Sequence, residues 1–302
     1  MSTVVFVLVP GVHVLDLGGP AQVFSTADAQ GLAYQLRFVA AAPVVITAQQ
    51  LPVQAETAMP ALGPHDLLVV PGWRTDRLAD SPPIPRFVLE ALVSHHARGA
   101  TVASVCAGAE ALGRAGLLDG RRCTTHHEHQ DELARRYPRA TVVHDVLFTE
   151  DGGVVTSAGI ASGIDLALHL VATRHGPAAA ARIARTMVVY ARRNGEAAQE
   201  SAMLRYRVHL SDQVHRVQEI IDRRYDAPLR LGDLAASVGV SERTLTRRFS
   251  RTTGLTPLRY QQALRVERAE ALMAQGATAE SAARSVGFED ARMLRRLRAA
   301  AR

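Results

Sequence analysis

The chain has 302 residues, 47% of them hydrophobic, with 35 basic residues against 29 acidic ones. That length favours two domains, and that apolar content excludes a disordered chain. Its longest apolar runs, such as Val4 to Val9 and Leu67 to Val70, fall far short of the roughly 20 residues that span a bilayer; with no secretion signal read at the start, the expected location is cytoplasmic, with no membrane partner.

Every basic residue is Arg. Residues 1–200 carry 16 Arg and 18 acidic residues, whereas residues 201–302 carry 19 Arg and 11 acidic residues, a net +8. A basic final third on a near-neutral body points to a polyanion partner, the alternative being a solvated face. The two cysteines, Cys106 and Cys123, make no disulfide framework. The run His126-His127-Glu128-His129 reads as a polar loop opening a helix, so neither a metal nor a cofactor is expected.

In chain order, apolar and β-branched runs at Val4–Val9, Leu36–Ala40, Leu67–Val70, Thr101–Val105 and Val154–Thr156 predict strands. Helices are expected between them at about 19–30, 83–98, 108–117 and 159–174. The alternation predicts a parallel sheet covered on both faces, with ligands beyond the carboxyl ends of its strands. Asp16 follows the first strand, Pro71-Gly72-Trp73 follows LLVV, and Cys106 follows TVASV just before Ala107-Gly108-Ala109. Strand, Cys, small residues and helix form the layout of a nucleophile elbow, where a helix N-terminus lowers a thiol's pKa. Taken alone, the same Cys reads first as a small hydrophobe beside a buried strand. Trp73 reads as a ligand contact or as a core ring.

The segments VLDLGGPAQVF, LLVVPGW, SVCAGAEALGRAGLLDGRRCTTHH and TSAGIASGIDLALHLV resemble the ThiJ/PfpI (class I glutamine amidotransferase-like) family over residues 3–192. The resemblance implies a flavodoxin-like α/β sandwich, with Asp16, Cys106 and His126 lining one effector pocket, to which Trp73 is added as a candidate. Isonitrile-hydrating relatives share Asp16 and Cys106 but carry Thr where this chain has Ala107. Trp73 stands where many relatives have a second Gly. The expected role is therefore an effector and dimerisation domain. A Cys-dependent enzyme with Cys106 as candidate nucleophile is the alternative.

A linker is expected over 193–210, around Asn194-Gly195. A helix over 212–225 follows, then Ala235-x3-Gly239-x5-Leu245, the spacing of a helix-turn-helix, with Ser241 as N-cap. A shift of 48 residues lays Ser237-Val238-Gly239-Val240 onto Ser285-Val286-Gly287-Phe288, so a second unit is expected. The units span about 231–251 and 279–298, joined by a helix from Pro257 to Met273. With Leu245 and Phe249 inward, Arg243 and Arg247 are the expected base readers. Thr246 would touch a thymine methyl or a phosphate, and Arg248 and Arg251 would meet phosphates. In the second unit Arg292, Arg295 and Arg296 would reach DNA.

LRLGDLAASVGVSERTLTRRFSRTTGLTPLRY, QALRVERAEALM and SAARSVGF are similar to the AraC/XylS family over about 211–298. The resemblance implies an all-α, double helix-turn-helix domain over 211–302. In the family's register Leu294 and Arg298 would be the second unit's inward pair, although Arg298 is a poor anchor. Met293 and Leu297 would serve after a one-residue shift, and the family's closing helix is expected to be missing. Together the resemblances imply a transcription regulator whose partners are double-stranded DNA, a small-molecule effector, a second copy of the chain and RNA polymerase.

Overall fold

The computed structural model describes residues 1–189, 193, 195, 199, 206, 207, 209–274 and 276–301. They fall into two compact units that divide between Gln199 and Glu200.

The first unit is built on a six-stranded sheet. Its strands are β1 (Ser2–Val7), β2 (Tyr34–Val39), β5 (Leu67–Val70), β6 (Thr101–Val105), β9 (Phe148–Asp151) and β10 (Val154–Ser157). The order is β2-β1-β5-β6-β10-β9. The first five in that order run parallel, and β9 is an antiparallel edge. The all-parallel expectation is thus corrected to a mixed sheet: Gly152 and Gly153, both at positive φ, turn β9 tightly back into β10. All four residues of β5 are fully buried, because helices cover both faces. A separate hairpin pairs β3 (Val44–Ile46) with β4 (Pro52–Gln54).

Helix α1 spans Val14–Ala29 and begins earlier than expected. Gly18, Gly19 and Pro20 all lie inside it. Asp16 therefore belongs to a helix's first turn rather than to a loop, where its carboxylate faces a favourable dipole. Of the expected linker, Arg193, Gly195 and Gln199 lie against the first unit. Arg193 Nη2 pairs with the buried Asp165 at 2.5 Å, and Gly195 O accepts from Leu147 N at 2.8 Å. Most of the remaining expected linker lies outside the described residues.

The second unit is helical: Asp212–Arg223, Leu231–Ser237, Glu242–Thr253, Pro257–Ala274, Ala279–Ser285 and Ala291–Ala301. The internal repeat is visible in its hydrogen bonds. Val240 N donates to Ala235 O at 3.1 Å across one turn, and Phe288 N donates to Ala283 O at 2.9 Å across the other. Ser241 Oγ caps its helix by accepting from Thr244 N. In the second copy Asp290 Oδ1 accepts from Arg292 N and Met293 N. That turn is one residue longer, so the helix starts at Ala291 rather than one place earlier.

The extra residue decides the register. Leu294 is buried among Ala269, Ala282, Ala283, Val286 and Phe288, while Met293 and Leu297 only flank that cluster. Arg298 turns outward and its Nε donates to Glu270 Oε1 at 2.9 Å. Leu294→Ala should cost about 2–5 kcal/mol, and Met293→Ala and Leu297→Ala clearly less. Urea denaturation of the intact chain, followed by helical circular dichroism, checks the order. A larger loss at Met293 or Leu297 would restore the shifted register.

Candidate ligand site and nucleic-acid interface

The carboxyl ends of β5, β6 and β10 converge on Cys106. Cys106 is buried at φ +53° and opens a short 3-10 turn that leads into helix α3 (Ala109–Arg114). This is the elbow layout expected from the sequence. Ile160, after β10, stands at φ +51°. A β-branched residue there is a genuine outlier, and strain of this kind collects at functional sites.

Asp16 and Cys106 are brought together. Asp16 is fully buried, and its Oδ1 accepts from Ile160 N at 2.5 Å. Its Oδ2 has no well-aligned donor, although the Cys106 thiol and Gly72 N–H are near enough to favour the charged carboxylate. Burial outweighs them and pushes the Asp16 carboxyl above its ordinary range. Burial also pushes the Cys106 thiol up, and the neighbouring Asp16 charge adds to the shift. A thiolate is thus disfavoured twice, by burial and by the acidic neighbour.

The floor leaves no room for side chains. A Cβ on Gly159, itself at φ +94°, would stand 2.3 Å from Cys106 Cβ, and one on Gly72 would stand 2.4 Å from Asp16 Oδ2. His126 lies beside this centre. Thr125 Oγ1 donates to Cys106 O at 2.8 Å, and His126 follows it in the chain. Burial lowers the His126 pKa, and its Nδ1 stands 3.5 Å from Glu128 Oε2. Trp73 is 1% exposed and packs in the core, with a backbone bridge to Val12. Its buried Nε1 has no hydrogen-bond partner among the described residues. Sequence reasoning missed His13, whose charge acts on Asp16, and Ile160 and Thr125. The small-residue stretch Ala158-Gly159-Ile160-Ala161 after a strand was the available signal for Ile160.

In the second unit Leu245 and Phe249 are buried, as their spacing predicts. Arg243, Arg247 and Arg251 are exposed, and Thr246 is half-buried. Arg248 is exposed too, but its Nη1 is held by Gln213 Oε1 in the first turn of helix Asp212–Arg223. In the second helix-turn-helix Arg292 is exposed. Arg295 Nε donates back to Ala291 O at 3.3 Å, and Arg296 Nη2 reaches Met293 Sδ at 3.0 Å. The expected basic residues therefore form two exposed sets, one on helix Glu242–Thr253 and one on helix Ala291–Ala301.

Residues 2–173 match the DJ-1/PfpI family, and residues 234–300 match a helix-turn-helix domain. The chain is 32% identical to the HTH-type transcriptional regulator CdhR of Pseudomonas aeruginosa over 233 residues, 76% of this chain and 67% of that protein. That stretch is longer than the first unit and so must enter the second. Similarity to the isonitrile hydratase of Pseudomonas putida is 34% over 168 residues, 55% of this chain and 68% of the enzyme. A crystal structure of an AraC family transcriptional regulator from Pseudomonas putida superposes with a TM-score of 0.54 at 25% identity, over 62% of this chain and 100% of that one.

A protonated, buried thiol should react slowly. In a Cys123→Ser background, iodoacetamide should modify Cys106 far more slowly than free cysteine at neutral pH, and Asp16→Asn should speed the reaction by removing the charge that opposes the thiolate. The folded-state pKa of Cys106 is raised, so between its ordinary 9.0 and the raised value only the unfolded chain ionises there. Stability should accordingly fall as pH rises past 9.0, and less steeply in Cys106→Ser. Rapid alkylation of Cys106 at neutral pH would overturn the protonated assignment.

Proposed function

We propose that this chain, which belongs to the DJ-1/PfpI family and is a DNA-binding transcription regulator, senses a small molecule at the Asp16–Cys106 site and reads DNA through two recognition helices. The observation that carries the DNA reading is the helix Glu242–Thr253. Its apolar pair is buried and its arginines are exposed, so the basic face is available to a polyanion.

Arg243 and Arg247 are the proposed base readers, because a guanidinium can grip guanine O6 and N7 with two bonds. Thr246 supplies a methyl or phosphate contact. Arg248 and Arg251 meet phosphates at the flanks, and the bond from Arg248 to Gln213 holds it in a positioning geometry. Arg292, Arg295 and Arg296 do the same work for the second helix.

The effector reading rests on the two strained residues, Cys106 and Ile160, around a buried carboxylate and thiol. A ligand there would be recognised by hydrogen bonds to Asp16 and Cys106, with His126 at its side. Nucleophilic attack by Cys106 is opposed by its raised pKa, which favours sensing over turnover. No helix among the described residues is long and apolar enough to cross a membrane. The proposed working form is a cytoplasmic homodimer that contacts RNA polymerase at its promoters.

Binding of the full chain to genomic fragments, including its own upstream region, across a salt series tests this function. Arg243→Ala and Arg247→Ala should each cost about 1–3 kcal/mol and relax specificity at one base position. Arg251→Ala should weaken all sequences evenly and lower the salt slope by about 1. Binding that shows no preference among fragments would remove the regulator reading.

A further inference from the structure

At the junction of the two helix-turn-helix units stands Arg265, on the helix Pro257–Ala274 that joins them. Its Nε donates to Tyr225 O at 2.6 Å and its Nη2 to Ala227 O at 3.0 Å. Both carbonyls belong to the loop between helices Asp212–Arg223 and Leu231–Ser237 of the first unit. Its Nη1 donates to Gly287 O at 2.7 Å, in the turn of the second unit. The guanidinium lies 5.5 Å from the centroid of the Phe288 ring.

Neighbouring groups close the same junction. Gln261, one helical turn earlier, donates to Tyr225 O at 2.9 Å and to Ala227 O at 2.7 Å. Gly287 runs bare against the loop: a Cβ there would stand 1.9 Å from Asp226 O. Tyr225 packs against the apolar clusters of both units. A planar guanidinium presents its donors in a rigid fork, so this one fixes carbonyls from two units at once.

We propose that Arg265 is the positioning residue that sets the separation and phase of the two recognition helices, and so the half-site spacing the protein accepts on DNA. This rests on the reading that both helices enter the major groove. Two units joined by a hinge would tolerate many spacings. Two units clasped through shared carbonyls present one, because a shift of about 5 base pairs turns a half-site to the far side of a duplex whose repeat is about 10.

The test starts from duplexes selected by the purified full chain from a random-sequence library. One recovered duplex, footprinted to locate its two halves, serves as the parent. Variants carry 1 or 5 extra base pairs between the halves. The native protein should lose affinity about 100-fold when 5 pairs are inserted, having lost one half's base contacts. Arg265→Met keeps the apolar stem and removes every donor. It should bind the parent more weakly and respond to spacing by no more than about threefold, since each freed unit can follow its own half-site. Arg265→Lys should behave likewise, because a single ammonium cannot hold the fork's geometry. Gly287→Ala should flatten the dependence from the opposite side of the clasp.

Base substitutions within each half should keep their effect in all three variants, a readout that a merely structural role would not preserve. The proposal fails if Arg265→Met retains the native spacing preference, or if the native protein has none. It also fails if the variants lose base discrimination in both halves together with their helical signal. A selection that returns no common sequence removes the DNA-binding reading itself, and the spacing proposal with it.

Discussion

Cys106 stands at φ +53° at the end of β6, and the backbone around it must be bare for that conformation to exist. A residue so placed costs on the order of 1–3 kcal/mol unless its surroundings over-determine it. Here they do. β6 is hydrogen-bonded to β5 on one side and β10 on the other, which fixes where the strand ends. Gly159 then lets the β10 loop pass within contact of Cys106, and Thr125 ties down its carbonyl. The same loop carries Ile160, whose N–H holds the Asp16 carboxylate. One strained peptide thus fixes three elements, α1, β6 and the loop after β10, around a single point.

That crowding has an electrostatic consequence. An elbow cysteine at the start of a helix ordinarily gains from the dipole, and the Ala107 N–H does act in that direction. Burial and the Asp16 charge act against it and prevail. The geometry of a nucleophile is present without its ionisation. A ligand that brought a positive charge or a hydrogen-bond donor to Asp16 would satisfy its unpartnered Oδ2. Selectivity would then come from a buried carboxylate that a wrong ligand leaves unsatisfied.

Much of this was legible in the sequence, for reasons that differ between residues. The strands Leu67–Val70 and Thr101–Val105 were read at their observed bounds because buried parallel strands are continuous apolar runs. Cys106 was found because its strand and its small neighbours are local. The start of α1 was not found: the helix was expected from about residue 19, and the structure extends it back through Gly18 to Val14. The contact of Ile160 with Asp16 spans 144 residues and leaves no local mark. In the second unit the repeat was legible from spacing alone. The choice between Leu294 and the Met293–Leu297 pair was not, since it depends on one extra residue in a turn whose own conformation had to be seen.

The second helix-turn-helix is also the one with less to hold it. Four of the seven buried residues in its cluster are alanines, whereas the first helix-turn-helix buries Phe249, Tyr260, Leu234, Leu245 and Leu264. Where the first helix-turn-helix puts Phe249, the second has Arg298, half-exposed and paired with Glu270. A pair in that setting contributes about 0–1 kcal/mol, against about 3–5 kcal/mol lost when a buried aromatic ring is removed. A core this small gains little from burial alone, and its junction with the first helix-turn-helix adds to its stability. The junction supplies it through Tyr225, whose ring serves both clusters, and through the carbonyls bound by Gln261 and Arg265. The helix Ala291–Ala301 thus depends for its fold on the same contacts that orient it. Any ligand or partner that disturbed the loop at Tyr225 would reach the second recognition helix without touching it.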